Sequence, residues 1–176
     1  MYAEGNVGGS GTAVYNGEGV GDVLLKGINT FLGNHSYGLM VFTKGSVTAQ
    51  YLIAYENSFS GVQIDNSAAP STKGVTISGG GEFLGNESGL VVRSQGSVSL
   101  NRVIASNTSY GIYVRANGNA TLTCSHTSGN NTGLFVAALD GTSPISKLVL
   151  QGLLSYGNTT NETITASTIV RTTTCP

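Results

Sequence analysis

Tryptophan is absent, proline occurs three times, cysteine and methionine twice each, and charged side chains make up only 10% of the chain. Each shortage excludes something. With eight Lys/Arg against nine Asp/Glu and a net charge of −1, there is no basic footprint to neutralise phosphates, so nucleic acid and anionic membrane are excluded as main partners. No stretch approaches the ~18 apolar residues of a membrane span, so no membrane insertion is expected. Residues 1–11 lack the basic start and apolar stretch of a signal peptide, which reads as a mature region or an excised piece. Two cysteines, Cys124 and Cys175, do not make a disulfide framework. What is abundant is glycine, at 26 residues, with Ser, Thr and Asn. Enough Val, Leu and Ile remain to build a core, and 176 residues suit one domain.

The strongest signal is internal repetition. Gly38-Leu39-Met40-Val41, Gly61-Val62-Gln63-Ile64, Gly89-Leu90-Val91-Val92, Gly111-Ile112-Tyr113-Val114 and Gly133-Leu134-Phe135-Val136 all read glycine, aliphatic, variable, aliphatic, at spacings of 22 to 28 residues. Alternation of that kind has the two-residue period of a strand, which turns Leu39 and Val41 and their counterparts inward. A second strand recurs at Ser46–Ala49, Gly74–Ile77, Ser97–Leu100, Asn119–Leu122 and Lys147–Leu150. A third, looser one includes Thr30–Leu32, Tyr51–Ala54, Glu82–Leu84 and Arg102–Ala105. Three short strands joined by short turns cannot bury their own apolar face, so successive repeats must stack, like strand on like strand, into a three-sided solenoid. Rungs then lie ~4.8 Å apart.

The turns agree. Asn-bearing corners starting at Asn34, Asn57, Asn86 and Asn107, with Asn130-Asn131-Thr132 as a near equivalent, precede the repeated glycines. Asn and Gly tolerate the left-handed backbone that a sharp corner needs. The register predicts about seven coils, with a Gly-rich segment at residues 1–10 and the solenoid over 11–176. Insertions at residues 65–73 and 138–144 are expected after the first strand, a common location for binding loops.

The phrases Gly111-Ile-Tyr-Val114, Gly96-Ser-Val-Ser-Leu-Asn101 and Ile104-Ala-Ser-Asn107 resemble the repeat of the pectin-lyase-like right-handed parallel β-helix superfamily, especially its long bacterial and archaeal surface proteins. The resemblance covers residues 11–160. It implies an all-β, right-handed, single-stranded parallel β-helix, and it leaves function open, because the same coil serves lyases, hydrolases, tailspikes, adhesins and structural arrays. One departure stands out. The family's Asn ladder after the second strand is mostly missing, since Asn101 has Gly27, Gln50, Gly79 and Gly152 in the equivalent places. Such families often cover one end with an amphipathic helix, and nothing here reads as helix. The ends are therefore expected to stack on another copy or on more of a longer solenoid.

Candidate chemistry is sparse. The carboxylates Asp22, Asp65, Asp140, Glu4, Glu18, Glu56, Glu82, Glu87 and Glu162 scatter over different faces, whereas glycoside hydrolysis needs two facing each other. Asp65, Arg93 and Arg115 fall in one column, which reads either as a weak catalytic candidate for an acidic sugar or as a surface charge ladder. His35 and His126 lie several coils apart, so no metal or other cofactor is expected. Met40, Gln63, Val91, Tyr113 and Phe135 form an outward column apolar enough to bind glycan or another surface protein. Thr48, Thr76, Ser99 and Thr121 line up on the second face, similar to an ice-binding array but with one hydroxyl per rung. Sequons beginning at Asn34, Asn86, Asn107, Asn119, Asn130, Asn158 and Asn161 are candidate N-glycosylation sites. A Cys124–Cys175 bridge is disfavoured, because Cys175 would fall about two rungs, ~10 Å, away from Cys124 unless the tail folds back. The leading expectation is a non-catalytic extracellular solenoid module, structural or adhesive, secreted or at the cell surface. The alternative is a polysaccharide lyase or glycoside hydrolase, and ice binding is a minor one.

Overall fold

The computed structural model describes residues 1–176 and contains strands and turns but no helix. In chain order the strands are β1 (Tyr2–Glu4), β2 (Thr12–Asn16), β3 (Val23–Leu32), β4 (Leu39–Thr43), β5 (Val47–Tyr55), β6 (Ser60–Asn66), β7 (Val75–Leu84), β8 (Ser88–Ser94), β9 (Val98–Asn101), β10 (Val103–Ser106), β11 (Tyr110–Ala116), β12 (Ala120–Thr123), β13 (His126–Ser128), β14 (Thr132–Ala137), β15 (Ile145–Gln151), β16 (Leu154–Tyr156), β17 (Thr160–Ile164) and β18 (Ala166–Thr172). Strands β2, β4, β6, β8, β11, β14 and β17 stack in parallel as the first sheet, which gives seven rungs. The second and third faces are joined in one further sheet of eleven strands.

That joining departs from three separate short strands per coil. In the early coils the second and third segments run on as single strands of nine or ten residues, β3, β5 and β7, with register shifts between Leu25 and Ile28 and between Ala49 and Tyr51. A bulge lets one strand bend around the corner with its ladder interrupted only locally. Only from β9 onward are the two segments separate strands. The N-terminal boundary also moves, because β1 pairs with Thr30–Leu32 of β3 and so belongs to the third face rather than to a separate segment.

The interior is built from columns of like positions. On the first sheet Leu39, Val62, Leu90, Ile112 and Leu134 lie on successive rungs, as do Val41, Ile64, Val92, Val114 and Val136, all fully buried. The second face contributes Val47, Val75, Val98, Ala120 and Leu148 beside Ala49, Ile77, Leu100, Leu122 and Leu150. On the third face large and small alternate, Phe31, Ala54, Phe83, Ala105, so each ring fills space that its neighbours leave. Together they form one core of thirty buried residues.

The repeated glycines serve space rather than backbone conformation. None of Gly38, Gly61, Gly89, Gly111 and Gly133 has a positive φ, yet a Cβ on Gly89 would lie 2.5 Å from the Gly111 carbonyl oxygen and 3.1 Å from Phe83 Cβ. The left-handed residues sit four or five residues earlier in the same corner, at Gly33, Glu56, Gly85, Asn107 and Gly129, with Gly157 in the equivalent place, and at a second corner at Gly27, Arg102, Cys124 and Gly152.

An Asn ladder exists, but between the third and first strands. Asn34 Nδ2 donates to Asn57 Oδ1 at 2.7 Å, Asn57 to Asn86 at 2.9 Å, and Asn130 to Asn158 at 2.8 Å, with Asn6 extending the run onto Asn34. Each Oδ1 also accepts a backbone N–H from the neighbouring rung, as Asn57 does from Asn34 at 3.1 Å. These corners are buried, so the amides satisfy backbone groups that water cannot reach. The run is interrupted at Thr108, whose hydroxyl donates onward to Asn130 while offering no amide to Asn86.

The Cys124–Cys175 bridge, disfavoured by rung spacing, is present, with Cα atoms 5.3 Å apart. The register is as expected, since Thr123, Gln151 and Thr172 occupy successive rungs. The tail then folds back across Gly152, where the missing side chain makes room: a Cβ there would lie 2.6 Å from Cys175 Sγ.

Replacing Gly89 by Ala should lower stability by about 2 kcal/mol, the scale of overpacking in a close-packed interior. Gly8→Ala, in open space, should stay within about 0.5 kcal/mol of the parent. Urea unfolding followed by circular dichroism checks both.

Candidate functional site

Outward positions of the first sheet carry the most distinctive surface chemistry. Met40, Gln63, Val91, Tyr113 and Phe135 do lie on consecutive rungs. At its C-terminal end the column becomes an aromatic stack, with the Tyr113 and Phe135 rings 4.6 Å apart and within 7° of parallel. Tyr110, which the repeat pattern passes over, meets both rings edge-on at 5.3 and 6.3 Å. It stands just before the turn into Gly111, where strict alternation says nothing about direction. The Arg115 guanidinium lies 5.3 Å from the Tyr113 centroid and 6.0 Å from that of Phe135, within reach of cation–π attraction. The excursion at residues 138–144 closes over it, because a Cβ on Gly141 would lie 2.7 Å from an Arg115 amino nitrogen.

Below this stack the face opens into a depression of about 300 Å³, walled by Tyr110 and Tyr113, floored by Gln63 and Val91, and bordered by Arg93 with Ser60 and Ser88. The ring face of Tyr113 turned away from Phe135 borders this space. Burial pushes the Tyr113 phenol up, with the Arg115 and Arg93 charges pulling it partly back, so both cations act at this end of the face. A second stack, Tyr15 on Phe42 at 5.6 Å and 9°, and a third, Tyr37 on Phe59 at 5.7 Å, flank Met40 at the other end. Phe42 could have been found two residues beyond Met40, on the same side of the strand.

The catalytic candidates share a column but not a site. Asp65 is opposite Arg93, and Arg93 opposite Arg115. Asp65, however, accepts from Ser67 N at 3.0 Å and Ser67 Oγ at 2.6 Å in its own turn, while Arg115 turns to the aromatic rings. Neither arginine is in an ion pair; the two salt bridges are Lys73–Asp22 and Arg171–Glu162. Asp140 is held at about 2 by Ser143 and Thr142 donors in its own loop. No group of three or more His, Cys, Asp or Glu is placed to hold a metal; His35 is exposed and His126 packs on Tyr156 at 4.9 Å.

On the third face Glu82 accepts hydrogen bonds from Tyr51, at 2.8 Å, and from Tyr55. Sequence patterning missed this cluster because the coil is lengthened by the bulge that brings Tyr51 opposite Gly80 and Ile53 opposite Glu82. The phenol donors hold Glu82 below its ordinary value, and the carboxylate pushes Tyr55 up to about 12. Thr48, Thr76, Ser99 and Thr121 line up as expected, between Leu24 and Val149.

The sequons divide by burial. Asn34, Asn86 and Asn130 are buried members of the amide ladder, which corrects their candidacy for glycosylation: a glycan on Nδ2 would break the ladder and has no space. Asn158 is half-buried with Nδ2 bonded to the Thr127 carbonyl at 3.2 Å. Asn107, Asn119 and Asn161 are exposed.

The sequence pattern of a family described as "Right handed beta helix region" matches residues 18–169. No curated protein and no solved structure matches the chain.

The Glu82 cluster predicts a pH response with two limbs. Glu82 is depressed in the folded state, so its contribution is present above the ordinary carboxylate range and is lost as pH falls through the folded value. Tyr55 is raised, so its contribution is present below pH 10 and is lost as pH rises toward about 12. Thermal melts should show Glu82→Gln flattening both limbs and Tyr55→Phe weakening both, since Tyr51 still donates to Glu82.

Proposed function

The chain belongs to the right-handed β-helix family, and on that premise we propose that it is a non-catalytic extracellular solenoid module, structural or adhesive, whose first-sheet face binds glycan. The observation that carries the reading is the Tyr110–Tyr113–Phe135 cluster with Arg115, next to a depression edged by Arg93, Gln63, Ser60 and Ser88. A free aromatic face supplies the apolar contact that a sugar ring's C–H surface needs, and amide, hydroxyl and guanidinium donors around it suit ring hydroxyls. A polar-edged depression of that kind favours a sugar over the broader apolar patch that a protein partner would use.

The carboxylates support the non-catalytic side of the reading. Asp65, Asp140, Glu82 and Glu162 each accept from a neighbouring donor, Asp65 through Oδ1 alone, and no carboxylate lies among the residues lining the depression. Secretion or surface display is supported by the Cys124–Cys175 bridge, which persists where thiols are oxidised.

A glycan array probed with the parent chain, followed by titration of the retained oligosaccharides, tests the proposal. Tyr113→Ala should weaken binding at least tenfold, about 1.4 kcal/mol, while Thr76→Ala on the second face should leave it unchanged. Absence of retained glycans, or equal binding by both variants, would refute it. Turnover of an acidic or neutral polysaccharide that disappears in Arg93→Ala would replace it with the lyase or hydrolase alternative.

A further inference from the structure

The outer side of the third face takes no part in the glycan site. Two outward columns cover it. One runs Thr30, Ile53, Glu82, Ile104, His126 and Leu154 on successive rungs, and the other Leu32, Tyr55, Leu84, Ser106, Ser128 and Tyr156. Tyr2 and Glu4 stand beside Thr30 and Leu32 on the rung of β1. Ile28, Ile104, Leu154 and Tyr156 are exposed, and Leu32, Ile53, Tyr55 and Leu84 are half-buried. Aliphatic and aromatic side chains on consecutive rungs make a largely apolar strip, which marks an interaction surface where single scattered residues would not.

The fixed charge on this strip has one sign. Neither column holds a Lys or Arg. Their carboxylates, Glu4 and Glu82, are in no salt bridge, and neither is Glu56, which follows Tyr55 into the corner. Lys26 and Arg102 lie at the opposite edge, in the corner between second and third faces, and pair with none of the three. Glu82 stands between Ile53 and Ile104 in its column, with Tyr51 donating to Oε1 at 2.8 Å and Tyr55 to Oε2. Both phenols are neutral donors, so the carboxylate keeps its charge and still has acceptor capacity on each oxygen. The same Tyr55 borders a recess of about 350 Å³, where Glu4 from the rung of β1 and Glu56 from the rung of β5 meet across Gly5, Leu32 and Gly33.

We propose that the third face is a docking surface for a protein segment that presents apolar side chains together with Lys or Arg, one cation seated on Glu82 beside Tyr51 and Tyr55 and a second in the recess between Glu4 and Glu56. Charge decides the occupant. A purely apolar partner laid over the strip would take water from Glu82 and give it nothing in return. A second copy of this chain brings the same columns without a cation, and laid rung against rung it sets Glu82 against Glu82. An ammonium or guanidinium gains a charge-assisted hydrogen bond at each carboxylate and attraction to the neighbouring phenol rings. Ile53 and Ile104 on either side of Glu82 then meet the apolar side chains of the segment and keep water from the pair.

Two short peptides, acetylated and amidated, test this: one alternates Lys with Leu and the other, of equal length, Glu with Leu. Each is titrated against the full chain at low salt and followed by fluorescence anisotropy. The Lys peptide should bind at least tenfold more tightly than the Glu peptide, and Glu82→Gln should weaken its binding at least fivefold. Glu56→Gln, exposed in the corner and outside the phenol cluster, should do the same, with circular dichroism confirming that both variants fold. Glu18→Gln removes an equal charge in the turn after β2 and should leave binding unchanged, as should Tyr113→Ala in the glycan site. Equal binding of the two peptides, unchanged binding in either folded Glu82→Gln or Glu56→Gln, an equal loss in Glu18→Gln, or loss of binding in Tyr113→Ala would each overturn the docking surface.

Discussion

Everything in this molecule depends on keeping successive rungs in one register. Parallel strands a rung apart place identical positions directly over one another, so a single aliphatic choice is repeated down a column and any misfit is repeated with it. The glycine column shows how narrow the tolerance is. Gly61, Gly89 and Gly111 leave room only for the carbonyl of the next coil, and that approach turns the chain from the third face into the first. The amide ladder then fixes the same corner from the inside, each Asn satisfying backbone groups of its own and the adjacent rung.

The fold was legible because the repeat is written in residue types whose physics is local. Leu90, Ile112 and Leu134 could be aligned by counting, and the register pairs them as counted. Less legible were features that break the period. The bulges in β3, β5 and β7 hide the boundary between second and third strands, and the Tyr51–Tyr55–Glu82 cluster depends on that altered register. The disulfide was missed for a related reason, because a ladder gives the distance between rungs but not the course of a tail that leaves it. The ladder of Asn34, Asn57 and Asn86 was visible as a set of corner residues. Only the buried amide contacts reveal that they form a continuous chain rather than separate turns.

The binding face was partly legible. Met40, Gln63, Val91, Tyr113 and Phe135 follow from alternation, yet the cluster takes its shape from Tyr110 and from the loop over Arg115, neither of which alternation addresses. Asp65, Arg93 and Arg115 illustrate the opposite error. Sharing a column is a necessary condition for acting together, and side-chain partners decide whether they do. A Ser67 hydroxyl in one turn and an aromatic pair on the next coil are enough to send Asp65 and Arg115 apart.

The interruption of the amide ladder at Thr108 falls between the rungs of β8 and β11, the same step at which the aromatic stack ends at Tyr113. Two reinforcements, one inside the wall and one outside, thus stop at a common seam, and across it the coils are joined by the backbone ladder, the aliphatic columns and separate side-chain hydrogen bonds such as Asn117 to Gln95 and Ser106 with Ser128. At this corner Thr108 passes the run onward through its hydroxyl, and Asn86 turns its amide to the Ala54 and Leu84 carbonyls instead.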